Sequence, residues 1–263
     1  MDQTNKSESF LKIDSFGNKT VASSLLLKSD DVIVALENNL YLKGENAFIE
    51  DLNFLKKQEK KTILTIYRNG IFFDVLISGS LGCKFISTDN NETKLIAEQF
   101  SKKEVFDQSD LNEYIAMRDL THNYEIICKS KSLAAGLVTP FWLAYHNKWW
   151  LLSLFTVLSF LLVSTNFWIF VFGWICVSIY CYIGQHELLI SFALLSGKAY
   201  SSILCARDMD YVQKTIRELN PKAKFKVSRL GDPVINSEEN NIENIEKNKN
   251  QKNKISSSQE ALI

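Results

Sequence analysis

The longest apolar segment of the chain runs from Trp149 to His186, and no residue within it carries a formal charge. A single helix of this length would measure roughly 50 Å, which exceeds the about 30 Å of hydrocarbon in a bilayer. The one polar interruption is the run Ser164-Thr165-Asn166. The pattern therefore predicts two transmembrane helices, at about 145–163 and 167–184, joined by a tight turn.

Aromatic residues flank this apolar segment at both ends. They are Trp142, Tyr145, Trp149 and Trp150 at its start, and Tyr180 and Tyr182 at its end. Trp and Tyr favour the headgroup layer because their rings are apolar and carry one polar group. The alternative is a helical hairpin in the core of a soluble protein, but the rest of this chain is too small to enclose two fully apolar helices.

Two neighbouring stretches are apolar but less continuous. Residues 132–145 are interrupted by Pro140, and residues 188–205 contain Lys198. Three placements stay open for these stretches: along the membrane interface, entering the bilayer and returning, or crossing it as a third span.

Basic residues lie before and after the two predicted transmembrane helices and are absent from the turn between them. They are Lys129, Lys131 and Lys148 before it, and Lys198, Arg207, Lys214, Arg217, Lys222, Lys224, Lys226 and Arg229 after it. The positive-inside rule predicts a protein of the cell inner (cytoplasmic) membrane with both termini in the cytoplasm. The cluster at 214–229 either serves this orientation or contacts anionic lipid. Residues 1–9 are polar and lack the features of a signal peptide.

The front half alternates short apolar and polar runs. Strands are predicted at 10–16, 32–36 and 40–42, and a helix at 46–57 carries Ile49, Leu52, Asn53 and Lys56 on one face. The segments 62–68 and 71–77 flank Asn69-Gly70, and two apolar strands joined by Asn-Gly are the strongest short-range signal of a β-hairpin. Residues 10–88 are therefore expected to fold as a small mixed α/β module.

The run from Leu27 to Asn38 resembles the signature Leu-x-x-Gly-Asp-x-Ile-x-x-(Val/Ile)-Asn-Gly of PDZ domains. The helix at 46–57 and the hairpin at Asn69-Gly70 follow at the spacing usual in that family. Asp30 stands where the family has glycine, and Glu37 and Asn38 replace its Asn-Gly pair. The resemblance covers residues 8–90 and implies a peptide-binding α+β domain.

PDZ domains bind the C-terminus of a partner, whose extended peptide adds a strand to a sheet edge. A glycine-containing loop offers backbone N–H groups to the terminal carboxylate. The run Ser80-Leu81-Gly82-Cys83 is similar to the Gly-Leu-Gly-Phe loop of the family. By this resemblance 83–87 is the peptide-pairing strand, and the domain is circularly permuted so that 10–16 is the next strand in space.

The resemblance also implies a set of peptide-binding residues. Leu81, Gly82 and Cys83 would supply the carboxylate-binding amides, Phe85 lies in the pairing strand, and Ile49 and Asn53 would line the groove for ligand side chains. The alternative interpretation is that Gly79 and Gly82 only turn the chain.

The middle of the chain carries a second resemblance. Residues 89–112 are predicted to be a polar linker with a helix at 92–106, and 113–120 and 124–128 to form a hairpin. The runs 113–117 and 139–150 resemble a bacterial membrane family catalogued as domain of unknown function 2628. Its hallmark is a Pro-x-Trp-Leu-x-(Tyr/Trp)-His/Arg-x-x-Trp run that enters the first membrane helix. The match covers 113–205 and implies architecture only, since the family has no established chemistry.

The end of the chain is polar. Asp208 or Asp210 is expected to cap a helix with Val212, Ile216 and Leu219 on one face, which stops at Pro221. From Pro233 onward too few apolar residues remain to offset the entropy of ordering, which predicts disorder. The chain ends in Ile263. Because a PDZ groove prefers an apolar C-terminal residue, the chain's own C-terminus is one candidate ligand.

Composition excludes several function classes. The 30 basic and 30 acidic residues balance, so no nucleic-acid partner is expected. The five cysteines are odd in number and form no C-x-x-C pair, which argues against a disulfide framework or a zinc site. His186-Glu187 begins a zinc-protease pattern, but Ile190 replaces its second histidine. No serine elbow or phosphate-binding glycine loop occurs, so no catalytic residue, metal or cofactor is predicted.

These patterns predict an α+β PDZ-like domain followed by an all-α transmembrane hairpin and a disordered tail. The expected divisions are the PDZ-like domain at 8–90, a linker with an amphipathic helix and a short hairpin at 91–131, a membrane domain at 132–205, a short cytoplasmic helix at 206–230, and the tail at 231–263. The expected function is a membrane-anchored scaffold that binds C-terminal peptides, without enzymatic activity. The alternatives are a membrane enzyme or transport component, and a structural membrane protein that binds no ligand.

Overall fold

A computed structural model describes residues 9–231 and Pro233. The strands are β1 (Leu11–Phe16), β2 (Val32–Leu36), β3 (Asn39–Leu40), β4 (Thr62–Arg68), β5 (Ile71–Ile77), β6 (Cys83–Ser87), β7 (Asn112–Arg118), β8 (Asn123–Cys128), β9 (Ala199–Ala206) and β10 (Lys224–Phe225). The helices are α1 (Val21–Ser24), α2 (Glu45–Lys57), α3 (Asn90–Phe100), α4 (Ala134–Leu137), α5 (Thr139–Tyr145), α6 (Trp149–Thr165), α7 (Phe167–Leu195) and α8 (Met209–Leu219). Apart from Gly231 and Pro233, the predicted tail lies outside the described residues, as does Ile263.

All of these strands belong to one mixed sheet. Its order is β10-β8-β7-β9-β5-β4-β2-β1-β6, with β3 paired to β2. The predicted hairpin at Asn69-Gly70 is confirmed, and both turn residues adopt the positive φ that such a turn requires. The second predicted hairpin is also confirmed, as β7 and β8. Residues 112–128, which the sequence pattern assigned to a linker, lie instead inside the sheet, because β7 bridges β8 and β9.

The strand β6 lies at one end of the sheet. β6 pairs antiparallel with β1, so 10–16 is indeed the next strand in space. A register shift between Ile13 and Ser15 leaves Asp14 unpaired in this ladder. Such a bulge bends the strand locally and increases its twist.

Helices cover both faces of the front part of the sheet. Along β2, Ile33 packs in the core under α2, whereas Val32 and Val34 pack in the core under α3. Alternate residues of a strand point to opposite faces, so this burial on both sides explains why the strand is apolar without interruption. α3 ends at Phe100, earlier than the predicted 106, and Lys103 then ion-pairs with Asp74 of β5.

The two later helical layers continue this arrangement. α8 packs Val212 and Ile216 into the same core that lies under α2. Its N-cap is Asp208, whose carboxylate accepts from the Tyr211 N–H at 2.8 Å, as predicted. Residues of α4, α5 and the C-terminal part of α7 cover the opposite face of β7 and β8, where Ile115 and Met117 pack in one cluster with Leu189.

α6 and α7 form an antiparallel helical hairpin. The polar break predicted at 164–166 ends α6, and Asn166 caps α7 by accepting from the Trp168 N–H at 2.8 Å. The rings of Phe155 and Trp174 stack edge to face at 5.1 Å between the two helices. α6 begins at Trp149 rather than 145, because α5 and a turn occupy the preceding residues.

The two apolar stretches that flank the hairpin, residues 132–145 and 188–205, fold differently. Residues 188–205 divide between the end of α7 and β9, so they do not form a third span. Residues 132–145 form the two short helices α4 and α5. Pro140, in the first turn of α5, lines a cavity of about 310 Å³ together with Phe155 and Trp174. The stretch therefore packs against the hairpin, with α4 on α7 and α5 on α6.

Large apolar side chains cover the outside of the hairpin. Examples are Phe160, which is 73% exposed, and Phe172, which is 71% exposed. Within the described residues one helix, α7, is long and apolar enough to cross a membrane, and α6 is apolar but shorter. This apolar surface matters for function because an exposed patch of this kind marks a membrane or partner surface.

A buried ion pair holds the front part of the sheet together. Nε and Nη2 of Arg68 each donate to the Asp31 carboxylate at 2.6 Å. Asp31 is fully buried and also accepts from the Lys28 N–H. The Arg68 guanidinium lies 4.9 Å from the centre of the Phe73 ring. The pair links the start of β2 to the end of β4.

Replacing Asp31 by Asn is expected to lower the free energy of unfolding by about 3 kcal/mol, because Arg68 keeps a buried charge without its partner. The matched control is Asp30→Asn, whose pair with Lys12 is exposed and contributes less than about 1 kcal/mol. Chemical unfolding of the full chain in detergent, followed by circular dichroism, measures both. Equal losses in the two variants would contradict a special role for the buried pair.

Candidate peptide-binding groove

β6 lies at the end of the sheet. Its inner edge pairs with β1, and within residues 9–231 no strand pairs with its outer edge. The N–H and C=O groups along such an edge are a template for an added strand. Cys83 and Phe85 are partly buried, whereas Lys84 and Ile86 are exposed.

The loop before β6 approaches the chain closely at Gly82. Its φ of +70° is left-handed, and a Cβ at this position would lie 3.0 Å from Cγ2 of Thr20. Glycine is therefore the residue that fits here. The Leu81 carbonyl accepts from the Ala22 N–H at 3.0 Å. Within the described chain the N–H groups of Leu81 and Gly82 donate to no acceptor.

α2 runs beside β6 on one face of the sheet. Near its start, the Phe48 ring packs edge to face on Phe85 at 5.5 Å. Near its end, the Lys56 side chain lies 3.2 Å from the position of a Cβ on Gly79, in the loop before β6. The helix and the strand therefore run in opposite directions, with the loop at the C-terminal end of the helix.

The predicted groove residues lie on the side of α2 that faces this loop. Ile49, Asn53 and Lys56 form a stripe with helical spacing, and all three are exposed. The opposite flank of the helix is occupied, because Asp51 accepts from the Tyr41 hydroxyl at 2.8 Å. Ile49 and Asn53 share this stripe with Lys56, which lies next to Gly79, and their place in a groove with Leu81, Gly82, Cys83 and Phe85 stays a prediction.

One residue of this site was missing from the predicted set. Lys56 is exposed next to the loop, and no acidic partner contacts it within the described residues. Its place on the Ile49 stripe was visible in the sequence. Its contact with Gly79 was not, because 23 positions separate the two residues.

The Leu81 side chain does not face the groove. The whole residue is 1% exposed and belongs to the core under α2, so its backbone is also closed to a ligand, whereas the neighbouring Gly82 is exposed. Both interpretations of the glycine loop remain compatible with this geometry. The loop turns the chain tightly, and the exposed Gly82 also presents its backbone N–H.

The Cys83 thiol is held in its neutral form. Burial, with a smaller contribution from the nearby Glu45 carboxylate, raises the pKa of this thiol to about 12. The thiolate is the nucleophilic form of cysteine, so a thiol with this pKa is a weak nucleophile at neutral pH.

The three histidines lie apart from one another and from the groove. His122 contacts Asn220, and His186 contacts the carbonyl of Ser130. Burial and the neighbouring Lys148 lower the pKa of His146. Across residues 9–231 no group of three or more His, Cys, Asp or Glu side chains is arranged to hold a metal ion.

Comparison with known proteins identifies no relative. The chain matches no protein-family model, and no curated protein matches it. The two family resemblances therefore rest on the motifs in the sequence.

The thiol of Cys83 is expected to react with iodoacetamide at pH 8 at least about 100-fold more slowly in the native chain than in the urea-unfolded chain. Because the reactive species is the thiolate and its pKa is raised, the native rate should rise about tenfold per pH unit between pH 7 and 10. Peptide mapping by mass spectrometry measures the rate at this residue. A native rate equal to the unfolded rate at pH 8 would contradict the raised pKa.

Proposed function

We propose that this protein is a membrane-anchored module that binds the C-termini of other proteins by strand addition. The observation that carries the proposal is the open outer edge of β6 next to α2, with a loop before β6 in which the N–H of the exposed Gly82 donates to no acceptor within the described chain. These are the parts that capture of a peptide C-terminus requires.

The binding mode follows from the direction of the elements. A peptide paired to β6 would gain backbone hydrogen bonds along the strand, which are independent of its sequence. Its terminal carboxylate would reach the N–H of the exposed Gly82, because backbone N–H groups in a turn favour an anion. The Lys56 ammonium adds a positive charge at the same end.

The chemistry of the groove defines the ligand class. Ile49 offers an apolar surface and Asn53 a polar one, so specificity would come from alternate side chains of an extended peptide. The preferred ligand has a free α-carboxylate and an apolar last residue.

Membrane anchoring is the second part of the proposal. The outer surface of α6 and α7 is apolar, and the most apolar window of α7 is only 6% buried. Moving this surface into lipid removes apolar area from water, which stabilises the inserted state by about 25 cal/mol per Å² of area buried. Since both ends of the hairpin lie beside the sheet, the sheet stays on one side of the membrane, and the basic residues that flank the hairpin favour the cytoplasmic side.

The hairpin is short for two full passes. α6 has 17 residues, which corresponds to about 25 Å, compared with about 30 Å of hydrocarbon. Local thinning of the bilayer and interfacial aromatic residues accommodate such a mismatch. Trp149 and Trp150, both exposed at the base of α6, are suited to this role.

The groove is tested by substituting Asn53 with Trp, which would fill the space between α2 and β6. Affinity for a C-terminal peptide should fall at least about tenfold, or about 1.4 kcal/mol. Fluorescence titration of the full chain in detergent, with labelled peptides that end in Ala-Leu-Ile or other apolar residues, measures this.

Two controls sharpen the peptide experiment. Glu50→Trp places the same side chain on the outward face of α2 and should leave affinity unchanged. An amidated peptide lacks the carboxylate and should bind weakly. No saturable binding to any carboxylate-terminated peptide would overturn the groove, and equal binding of the amide would overturn carboxylate capture.

Anchoring is tested with the native tryptophans, which are Trp142, Trp149, Trp150, Trp168 and Trp174. Reconstitution into vesicles with brominated acyl chains should quench their emission, because Trp168 is 76% exposed on the hairpin surface and would contact lipid tails. Unbrominated vesicles of the same headgroup are the control. Emission that responds to the water-soluble quencher acrylamide but not to brominated chains would reject insertion.

A further inference from the structure

A cavity of about 630 Å³ lies at the base of the helical hairpin, away from the peptide groove. Its walls come from the turn before α6, the residues after α7, α8, and the segment after β10. The side chains that decide its chemistry are Glu125, Lys148, Lys198, Gln213, Lys226 and Arg229.

The charge in this cavity is unbalanced. Its lining includes four cationic side chains but only two carboxylates, those of Glu125 and Asp210. Arg229 contacts Asp210 at 3.2 Å, and Lys226 is exposed with no acidic partner within the described residues. An anion that enters the cavity would meet a net positive charge of about two.

Two of the cations are held in place by one carboxylate. Nζ of Lys148 lies 3.1 Å from one oxygen of Glu125, and Nζ of Lys198 lies 2.5 Å from the other. Burial raises the pKa of Glu125, but hydrogen bonds from the two lysines lower it by more, so the carboxylate stays ionised. Each ammonium has three donors and uses one here, which leaves donors for a second acceptor.

A buried acceptor in the wall lacks a donor. The Gln213 side-chain amide donates to the Val227 carbonyl at 2.9 Å, but its own oxygen has no hydrogen-bond partner. Gln213 is 6% exposed and lines the cavity. A buried unsatisfied acceptor is costly, so a ligand that donates a hydrogen bond here would be stabilised.

The cavity lies at the height where lipid headgroups would lie. Lys148 caps the start of α6, and Lys198 follows the end of α7, so both mark the polar end of the apolar hairpin. Tyr145 is 80% exposed at the same end. Aromatic and basic residues at this level are typical of the membrane interface.

We propose that this cavity binds the headgroup of one anionic phospholipid, with the phosphate near Lys148 and Lys198 and a headgroup hydroxyl donating to the Gln213 oxygen. A phosphoglycerol headgroup has both features. The proposal rests on the membrane anchoring inferred above, because the lipid must reach the cavity from the bilayer. It is independent of peptide binding.

The test uses native mass spectrometry of the detergent-solubilised full chain with added phosphatidylglycerol or phosphatidylcholine. The chain should retain phosphatidylglycerol at least about tenfold more strongly than phosphatidylcholine, a difference of about 1.4 kcal/mol. The double variant Lys226→Gln/Arg229→Gln should reduce this preference at least about fivefold. The matched control, Arg207→Gln/Lys214→Gln, removes the same charge from exposed positions that do not line the cavity and should change it less than about twofold.

Three results would overturn the proposal: equal retention of the two lipids, an equal loss in both double variants, or full displacement of the lipid by soluble glycerol phosphate. The last result would assign the cavity to a soluble phosphate compound. A third variant, Gln213→Leu, should weaken phosphatidylglycerol retention while phosphatidylcholine retention stays constant. Brominated lipid should still quench the tryptophan emission of these variants. If it does, the anchor is intact and any lost lipid preference belongs to the headgroup site alone.

Discussion

The packing of the last third of α7 against the sheet determines how the other parts of the molecule are arranged. One continuous helix exposes Trp168 and Phe172 near its start and buries Leu189 and Ala193 near its end. The buried part packs on Ile115 and Met117 of β7, and Gln185 accepts from the Ser132 N–H at 2.9 Å. Because a helix is stiff over this length, burial of its base also sets the direction of its exposed, apolar part. The cavity beneath the hairpin exists because α8 and the segment after β10 approach this same base.

A second constraint joins the front module to this helical platform. β5 and β9 meet at a short seam, where Asp74 pairs with Cys205 in the ladder. At this seam Asp74 accepts from Thr65 at 2.7 Å and forms a buried ion pair with Lys103 at 2.7 Å. A domain tethered by a linker would move freely relative to the helical hairpin. Here the continuous sheet carries the candidate groove and the base of the hairpin, and α2 and the hairpin base lie on opposite faces of it.

The candidate sites differ in how far the sequence could reveal them. Sequence patterns predicted the strand 83–87, its neighbour 10–16 and the helix face with Ile49 and Asn53. Each of these depends on local patterns and on a motif with fixed spacing. No pattern in the sequence predicted the charged cavity. Glu125, Lys148 and Lys198 lie far apart in the chain, and each has an ordinary explanation as a surface or interfacial residue. The buried oxygen of Gln213 has no sequence signal, because the absence of a partner is a property of the packed interior.

The sequence by itself determined the local elements of this protein. The Asn69-Gly70 turn, the helix caps at Asp208 and Asn166, and the uncharged run of the hairpin all follow from interactions within a few residues. Only the tertiary structure decided that strands from both halves share one sheet, that residues 188–205 divide between helix and strand, and that Lys56 meets Gly79. The physical reason is that backbone hydrogen bonds between distant strands are the same for every residue type. Their partners are therefore chosen by the packing of the whole core and not by any local pattern.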